Sequence, residues 1–356
     1  MINPYSALAP LGWTDWFKQR MGCRDTDSIG RVAAVDRDQL LLIDGGGPFR
    51  AKLAGGFRHQ HHLAQDLPCV GDWVCVEKHP GDDYGMIHSV IPRKTSLRRK
   101  SAGESATYQM IAANIDDVII VQSSHYDFNL KRLERYLVMV REGGAEPCIL
   151  LTKTDLVAPA VLEGHIADIR AAGITVPVMT LSNVTREGVE QFTQLLAPGK
   201  TYCFVGSSGV GKSTLINHLT GRETQETKIV SGTGEGRHTT VRRELLLLEG
   251  GALVIDNPGM REFGILGAES GIEESFSDIA ALATECRYRD CTHTSEPHCA
   301  VVEAVESGRM SREHYENYIK LRVESGFQQL SYAEKRKKDR EFGRYIKSAK
   351  KHLKDE

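Results

Sequence analysis

TYCFVGSSGVGKSTLINHLT, residues 201–220, is the stretch on which the reading of this 356-residue chain turns. Its apolar start reads as a buried strand, and the segment from Lys212 onward has helical composition. Between them, Gly206-Ser207-Ser208-Gly209-Val210-Gly211-Lys212-Ser213 fits G-x-x-x-x-G-K-[ST] in full. In that context backbone N–H groups of the glycine-rich loop and the helix N-terminus cradle phosphates. Lys212 is expected beside the β and γ phosphates, Ser213 as a Mg²⁺ ligand, and Thr214 next to it on the nucleotide. The stretch predicts an α/β domain that holds a nucleoside triphosphate, and leaves open which base it takes.

The base is read elsewhere. At the end of the strand-like run Pro147–Leu151 stands Thr152-Lys153-Thr154-Asp155, of the N/T-K-x-D form. A carboxylate at Asp155 accepts from both N1–H and the exocyclic amine of guanine. Adenine offers no equivalent pair, so a buried, unpaired carboxylate would reject ATP strongly. Lys153 is expected to lay its aliphatic stem over the base. After the next apolar run, Leu181-Ser182-Asn183 has the form of a short backbone loop against the guanine oxygen, with Ser182 its site residue. Further on, ALVID ends in Asp256-Asn257-Pro258-Gly259, with Asp256 aimed at Mg²⁺ through water and Gly259 at the γ-phosphate. Between lies Gly236-Arg237-His238-Thr239-Thr240, a switch-like segment in which Thr239 or Thr240 reaches the ion. Each loop alone reads equally well as a turn. Together they predict a site for GTP or GDP with Mg²⁺.

Their order is unusual. Asp155 precedes Lys212 by 57 positions, whereas an ordinary GTPase begins with its phosphate loop, so the domain is expected to be circularly permuted. From about 116 to 257, strand-like runs (DDVIIVQSS, PCILLT, VPVMTLS) alternate with helical spacing, the texture of a parallel sheet covered on both faces. From about 30 to 90 the apolar runs are short and broken by glycine-rich turns, which predicts a small barrel. The composition, 40% hydrophobic and 26% charged with net charge −2, is that of a soluble globular chain. No membrane span or secretory leader is legible, and a cytoplasmic location is expected. Eight cysteines in such a chain do not suggest a disulfide framework. Five are scattered (Cys23, Cys69, Cys75, Cys148, Cys203). The other three form Cys286-x₄-Cys291-x-His293-x₅-Cys299, a sufficient set for one closed structural Zn²⁺ site, with His298 as an alternative ligand. Residues 331–356 carry ten Lys or Arg against five Asp or Glu, a basic tail or a solvated helix end. Arg93, Lys94, Arg98, Arg99 and Lys100 are a second basic group, or a linker. Tyr288 and Arg287, inside the Cys/His loop, are candidates to contact RNA or simply to pack it.

With the permuted order, GRHTT, DNPG, the cluster CRYRDCTHTSEPHCA and the tail RKKDREFGRYIKSAKK, the chain closely resembles the ribosome small-subunit-dependent GTPase family (RsgA) over about residues 30–350. The resemblance implies a circularly permuted P-loop GTPase domain at 96–268, preceded by an OB-fold barrel at 30–95 and followed by an α-helical zinc-binding domain with a basic tail at 269–356. Residues 1–29 form an extension with no motif. It further implies a monomeric GTP hydrolase that binds the small ribosomal subunit and its rRNA late in maturation, is stimulated by the subunit, and leaves after hydrolysis. Met260 stands where Ras-like enzymes orient water with Gln, and the resemblance assigns that role to His238. Two departures are visible: Thr152 where Asn is usual, and Asn257 where Ser is usual.

Overall fold

The computed structural model describes residues 5–36, 39–61, 63–79, 84–100, 108–221, 243–257 and 267–327. Five short strands, β1 (Ser28–Val35), β2 (Leu40–Asp44), β3 (Gly47–Leu53), β4 (Trp73–Glu77) and β5 (Gly85–Val90), pair in the order β1-β2-β3-β5-β4 and close through β1–β4. This is the expected OB-like barrel. Val32, Leu42, Val74, Val76 and Ile87 fill it. The strand β3, GPFRAKL, carries only a weak apolar pattern because Ala51 alone is buried in it.

A hairpin, β6 (Ser96–Lys100) and β7 (Tyr108–Ala113), leads into the second sheet. There β8 (Asp117–Ser123), β9 (Glu146–Thr152), β10 (Val178–Leu181), β11 (Thr201–Val205), β12 (Glu244–Leu247) and β13 (Leu253–Asp256) lie in the order β10-β9-β8-β11-β13-β12. All neighbours are parallel except β12 and β13. Val118–Val121 of β8 and Cys203–Val205 of β11 are almost wholly buried, as strands covered on both faces must be. The crossover helices Leu130–Glu142, Pro159–Ala171, Val189–Leu195 and Lys212–Thr220 provide that cover. The first is capped by the Asn129 side chain, which accepts from the Arg132 N–H. The chain runs outward from β8 to β10 and then returns to β11 on the other side of β8. A crevice at the carboxyl ends of β8 and β11 follows from that reversal.

Barrel and GTPase sheet are continuous, since β12 also pairs with β1 at Ala34 and Glu244. The extension is not idle. Leu8, Leu11, Trp13 and Phe17 are buried in the main core, and Trp13 meets Trp73 edge-on at 4.9 Å. A single disulfide among the described residues joins Cys23, one of the scattered cysteines, to Cys75 of β4. The partners are 52 residues apart in sequence, so only the fold brings them together. Arg31, 1% exposed, ties the parts: its guanidinium donates to the carbonyls of Leu11, Gly71 and Asn114 and to Thr201 Oγ1. Burial lowers its pKa to about 10, against the opposing pull of Asp116 and Asp72, and it stays charged.

After β13, the helices Glu269–Ser275, Ser277–Ala283, Ala300–Glu306 and Arg312–Phe327 enclose Phe276, Ile279, Val301 and Leu321, together with Val138 of the helix Leu130–Glu142. That helix therefore serves two cores, since its Leu133, Leu137 and Val140 face the sheet. No described helix is long and apolar enough to cross a membrane.

Candidate functional site

β11 delivers the chain into the crevice at Gly206. A Cβ there would lie 2.2 Å from the Val121 carbonyl oxygen, and its φ is +145°, so only glycine fits. The loop ends at Gly211, the left-handed N-cap of the helix Lys212–Thr220. Lys212 Nζ donates to the carbonyls of Gly206 (2.7 Å) and Ser207 (2.6 Å). Burial lowers its pKa, opposed by Asp256 and Asp127, so negative charge arriving at the loop stabilises this ammonium. Val210, expected on the nucleotide, has its side chain 1% exposed and anchors the loop in the core, which leaves its backbone for the site.

A cavity of about 480 Å³, the size of a small-molecule site, opens over this loop. Its walls are Lys153, Asp155 and Leu156; Asn183 and Val184; Ser208, Gly209, Gly211, Lys212, Ser213 and Thr214; and Asp256 with Asn257. The base-reading loops and the phosphate loop, read separately in the sequence, thus face one space. Lys153 takes a left-handed φ of 58°, opening the short 3₁₀ turn that presents Asp155.

Two expected contact residues act from behind. Thr152 is fully buried, and its Oγ1 donates to the Val210 carbonyl at 2.6 Å, pinning the base-reading strand end to the phosphate loop. Ser182, also fully buried, donates from Oγ to Asp155 Oδ1 at 2.6 Å, while its Oγ accepts from the N–H groups of Val184 and Thr185. Neither lines the cavity. In their place Asn183, next to Ser182 in Leu181-Ser182-Asn183, does. Asn257, at the cavity wall beside Asp256, is nearly fully buried, its Nδ2 donating to Cys203 Sγ at 2.9 Å. Ser213 and Asp256 supply a hydroxyl and a carboxylate at the same end, oxygen donors suited to Mg²⁺. His238, Thr239, Thr240, Gly259, Met260 and the tail 331–356 lie outside the described residues.

The second constellation fits a tetrahedral ion. The ligand atoms of Cys286, Cys291, His293 and Cys299 lie within 4.8 Å of one another. Cys286 Sγ and Cys299 Sγ are 3.8 Å apart, and His293 Nδ1 is 3.6 and 3.5 Å from them. A tetrahedron with zinc–sulfur bonds of about 2.3 Å has sulfur–sulfur edges of roughly 3.8 Å. The set fits Zn²⁺ with Nδ1 as the imidazole ligand, and His298 is exposed and outside it. Such an ion would replace hydrophobic mass in holding this small unit together. A further group, Asp27, Glu77 and His88, is already knit by Arg24, which pairs with both carboxylates at 2.8 and 2.9 Å.

The basic group after the barrel is mostly engaged. Arg93 clamps the fully buried Asp72 through two 2.8 Å contacts and the carbonyls of Gln65 and Leu67. Its side chain, 19% exposed, is thus spent on holding Asp72 and the loop before it. Arg98 stacks on Tyr108 and pairs with Glu142, and Arg99 donates to Gln109. Tyr288 stays exposed with the Arg287 guanidinium 5.6 Å from its ring centre.

A parallel sheet with a phosphate loop at its reversal point, and with the guanine-reading loops upstream of that loop in the chain, defines a circularly permuted P-loop GTPase. The sequence profile of the RsgA GTPase matches residues 90–266. The chain is 40% identical over 332 residues, 90% of either chain, to the small ribosomal subunit biogenesis GTPase RsgA of Opitutus terrae. It is 37% identical over 358 residues, 99% of this chain and 98% of the other, to the small ribosomal subunit biogenesis GTPase RsgA 2 of Vibrio vulnificus. The crystal structure of YjeQ from Thermotoga maritima superposes with a TM-score of 0.62 at 27% identity, covering 83% of this chain and 97% of that one. The chain belongs to the RsgA family, and it is a GTP hydrolase.

Proposed function

We propose that this GTPase binds the small ribosomal subunit and its rRNA late in subunit maturation, that the subunit accelerates GTP hydrolysis, and that hydrolysis drives release. The observation that carries the reading is the similarity, over nine-tenths of the chain, to proteins named for small-subunit biogenesis, joined to one cavity lined by both the phosphate loop and the loops expected to read the base. In this reading Asp155 reads the base, Lys212 and the loop N–H groups hold the phosphates, Ser213 and Asp256 hold Mg²⁺ with Thr239 or Thr240, and Gly259 senses the γ-phosphate. His238 orients the attacking water once the subunit orders its segment, because Met260 has no polar atom suited to the task. The barrel (30–95) and the zinc domain (269–356), with one Zn²⁺ per chain, flank the GTPase domain (96–268) as RNA-facing arms. The protein acts in the cytoplasm as a monomer. GTP turnover measured with and without purified small subunits tests this: an increase of at least tenfold is expected, and equal rates would overturn subunit stimulation while leaving the GTPase itself standing.

A further inference from the structure

Asp155 accounts for one edge of guanine, the N1–H and the exocyclic amine. The other edge carries two acceptors, N7 and O6, and needs a donor. Thr152 cannot be that donor: it is fully buried, lines no part of the cavity, and its single hydroxyl proton goes to the Val210 carbonyl at 2.6 Å. Asn183, on the neighbouring loop, does line the cavity. Its Nδ2 donates to the Gly211 carbonyl at 3.1 Å, which fixes the amide orientation, since the flipped amide would set two acceptor oxygens together. One Nδ2 hydrogen is thereby used and a second remains. Its Oδ1 is buried with no partner among the described residues, so the carboxamide has polar capacity that protein contacts do not use. Gly211 makes room for it: a Cβ there would stand 2.8 Å from Asn183 Nδ2.

We propose that Asn183 is a purine-contacting residue of the guanine site, whose carboxamide Nδ2 donates to N7 on the edge opposite to the one Asp155 reads. It takes from the second base-side loop a contact that a threonine at position 152 cannot supply. The inference rests on Asp155 as the reader of N1–H and the amine, a role tested separately with xanthine nucleotides. A purely structural Asn183, bracing the phosphate loop through Gly211, would weaken all nucleotides alike. A donor to N7 would distinguish GDP from 7-deaza-GDP, in which N7 is replaced by C–H and nothing else changes at that edge.

The test is calorimetric titration of the full chain with GDP and 7-deaza-GDP, in wild type and in Asn183→Ala. Wild type should bind 7-deaza-GDP roughly three- to tenfold more weakly than GDP, the loss of one hydrogen bond. Asn183→Ala should bind GDP more weakly by a similar factor and bind the two nucleotides equally. Asn183→Ser, a smaller change, should also lose most of the discrimination and serves if the alanine variant does not fold. Equal binding of the two nucleotides by wild type overturns the proposal, as does a variant that keeps the full 7-deaza penalty.

Discussion

Single side chains in this protein divide into those that face the nucleotide and those that hold them there. Asp155, which lines the cavity, is the proposed base reader and of the first kind, and Ser182 is of the second: one hydrogen bond of 2.6 Å fixes that carboxylate. Replacing the carboxylate by an amide turns one of its two acceptors into a donor without changing shape. Asp155→Asn is therefore expected to lose GTP affinity by at least tenfold and to gain xanthosine triphosphate, whose C2 carbonyl accepts from the new amide, as read by competition with a labelled nucleotide. Equal competition by ATP and GTP in wild type would remove the base assignment altogether. The Lys153-Thr-Asp155 pattern was legible because its chemistry is local. That Thr152 and Ser182 support rather than touch was not, because a buried hydroxyl and a pocket-facing one have the same letter.

At the scale of elements, the helix Leu130–Glu142 is the joint between the GTPase sheet and the C-terminal unit. His314, from the helix Arg312–Phe327, is buried between Glu134 (Nδ1 to Oε1, 2.5 Å) and Asp278 (Nε2 to Oδ2, 3.1 Å), and Arg135 forms a bidentate pair with Glu324 at 2.7 Å. Burial alone would lower the His314 pKa, but the hydrogen bonds and charges of Asp278 and Glu134 outweigh it and raise it to about 9. A raised folded pKa gives stability that is complete below the unfolded value near 6.5 and is lost as pH climbs through about 9. Thermal unfolding should accordingly fall between pH 7 and pH 9 in wild type. His314→Ala should be less stable at pH 7 by about 3–5 kcal/mol, because Glu134 is left buried without its cation, and should lose that alkaline slope. An unchanged slope in the variant would assign the pH dependence elsewhere. The Cys/His unit gives the second element-scale prediction. Metal analysis of protein purified without chelators should find about one zinc per chain, abolished by Cys291→Ser, with chelation unfolding the C-terminal helices before the sheet. Absence of zinc in wild type would refute it.

Across the whole molecule, the permutation sends the chain from Asp256 of β13 toward the unit that carries the Cys/His cluster, which itself docks on the helix following β8. A change at the γ-phosphate and the position of that unit therefore share one segment. On the proposed mechanism, His238→Ala should bind GTP nearly as wild type but lose most subunit-stimulated turnover and remain on the subunit in sedimentation assays. Turnover at the wild-type stimulated rate would discard His238 and leave Thr239 or a ribosomal group in its place. The sequence by itself determined the permuted GTPase, the barrel, the phosphate loop and the grouping of Cys286, Cys291, His293 and Cys299, because these depend on residue types at short spacing: a strand, a glycine loop and a helix start, or four side chains within fourteen residues. Tertiary structure alone decided the rest. Residues 5–21 carry no motif, yet Leu8, Leu11, Trp13 and Phe17 are core, with Trp13 on Trp73 and the Leu11 carbonyl on Arg31. Cys23 finds Cys75, and Arg93 pairs with Asp72. Each of these pairings joins residues that lie far apart along the chain or could serve equally well on a surface. Apolar and charged side chains record in the sequence that they need a partner, but only the packed fold determines which partner lies within reach.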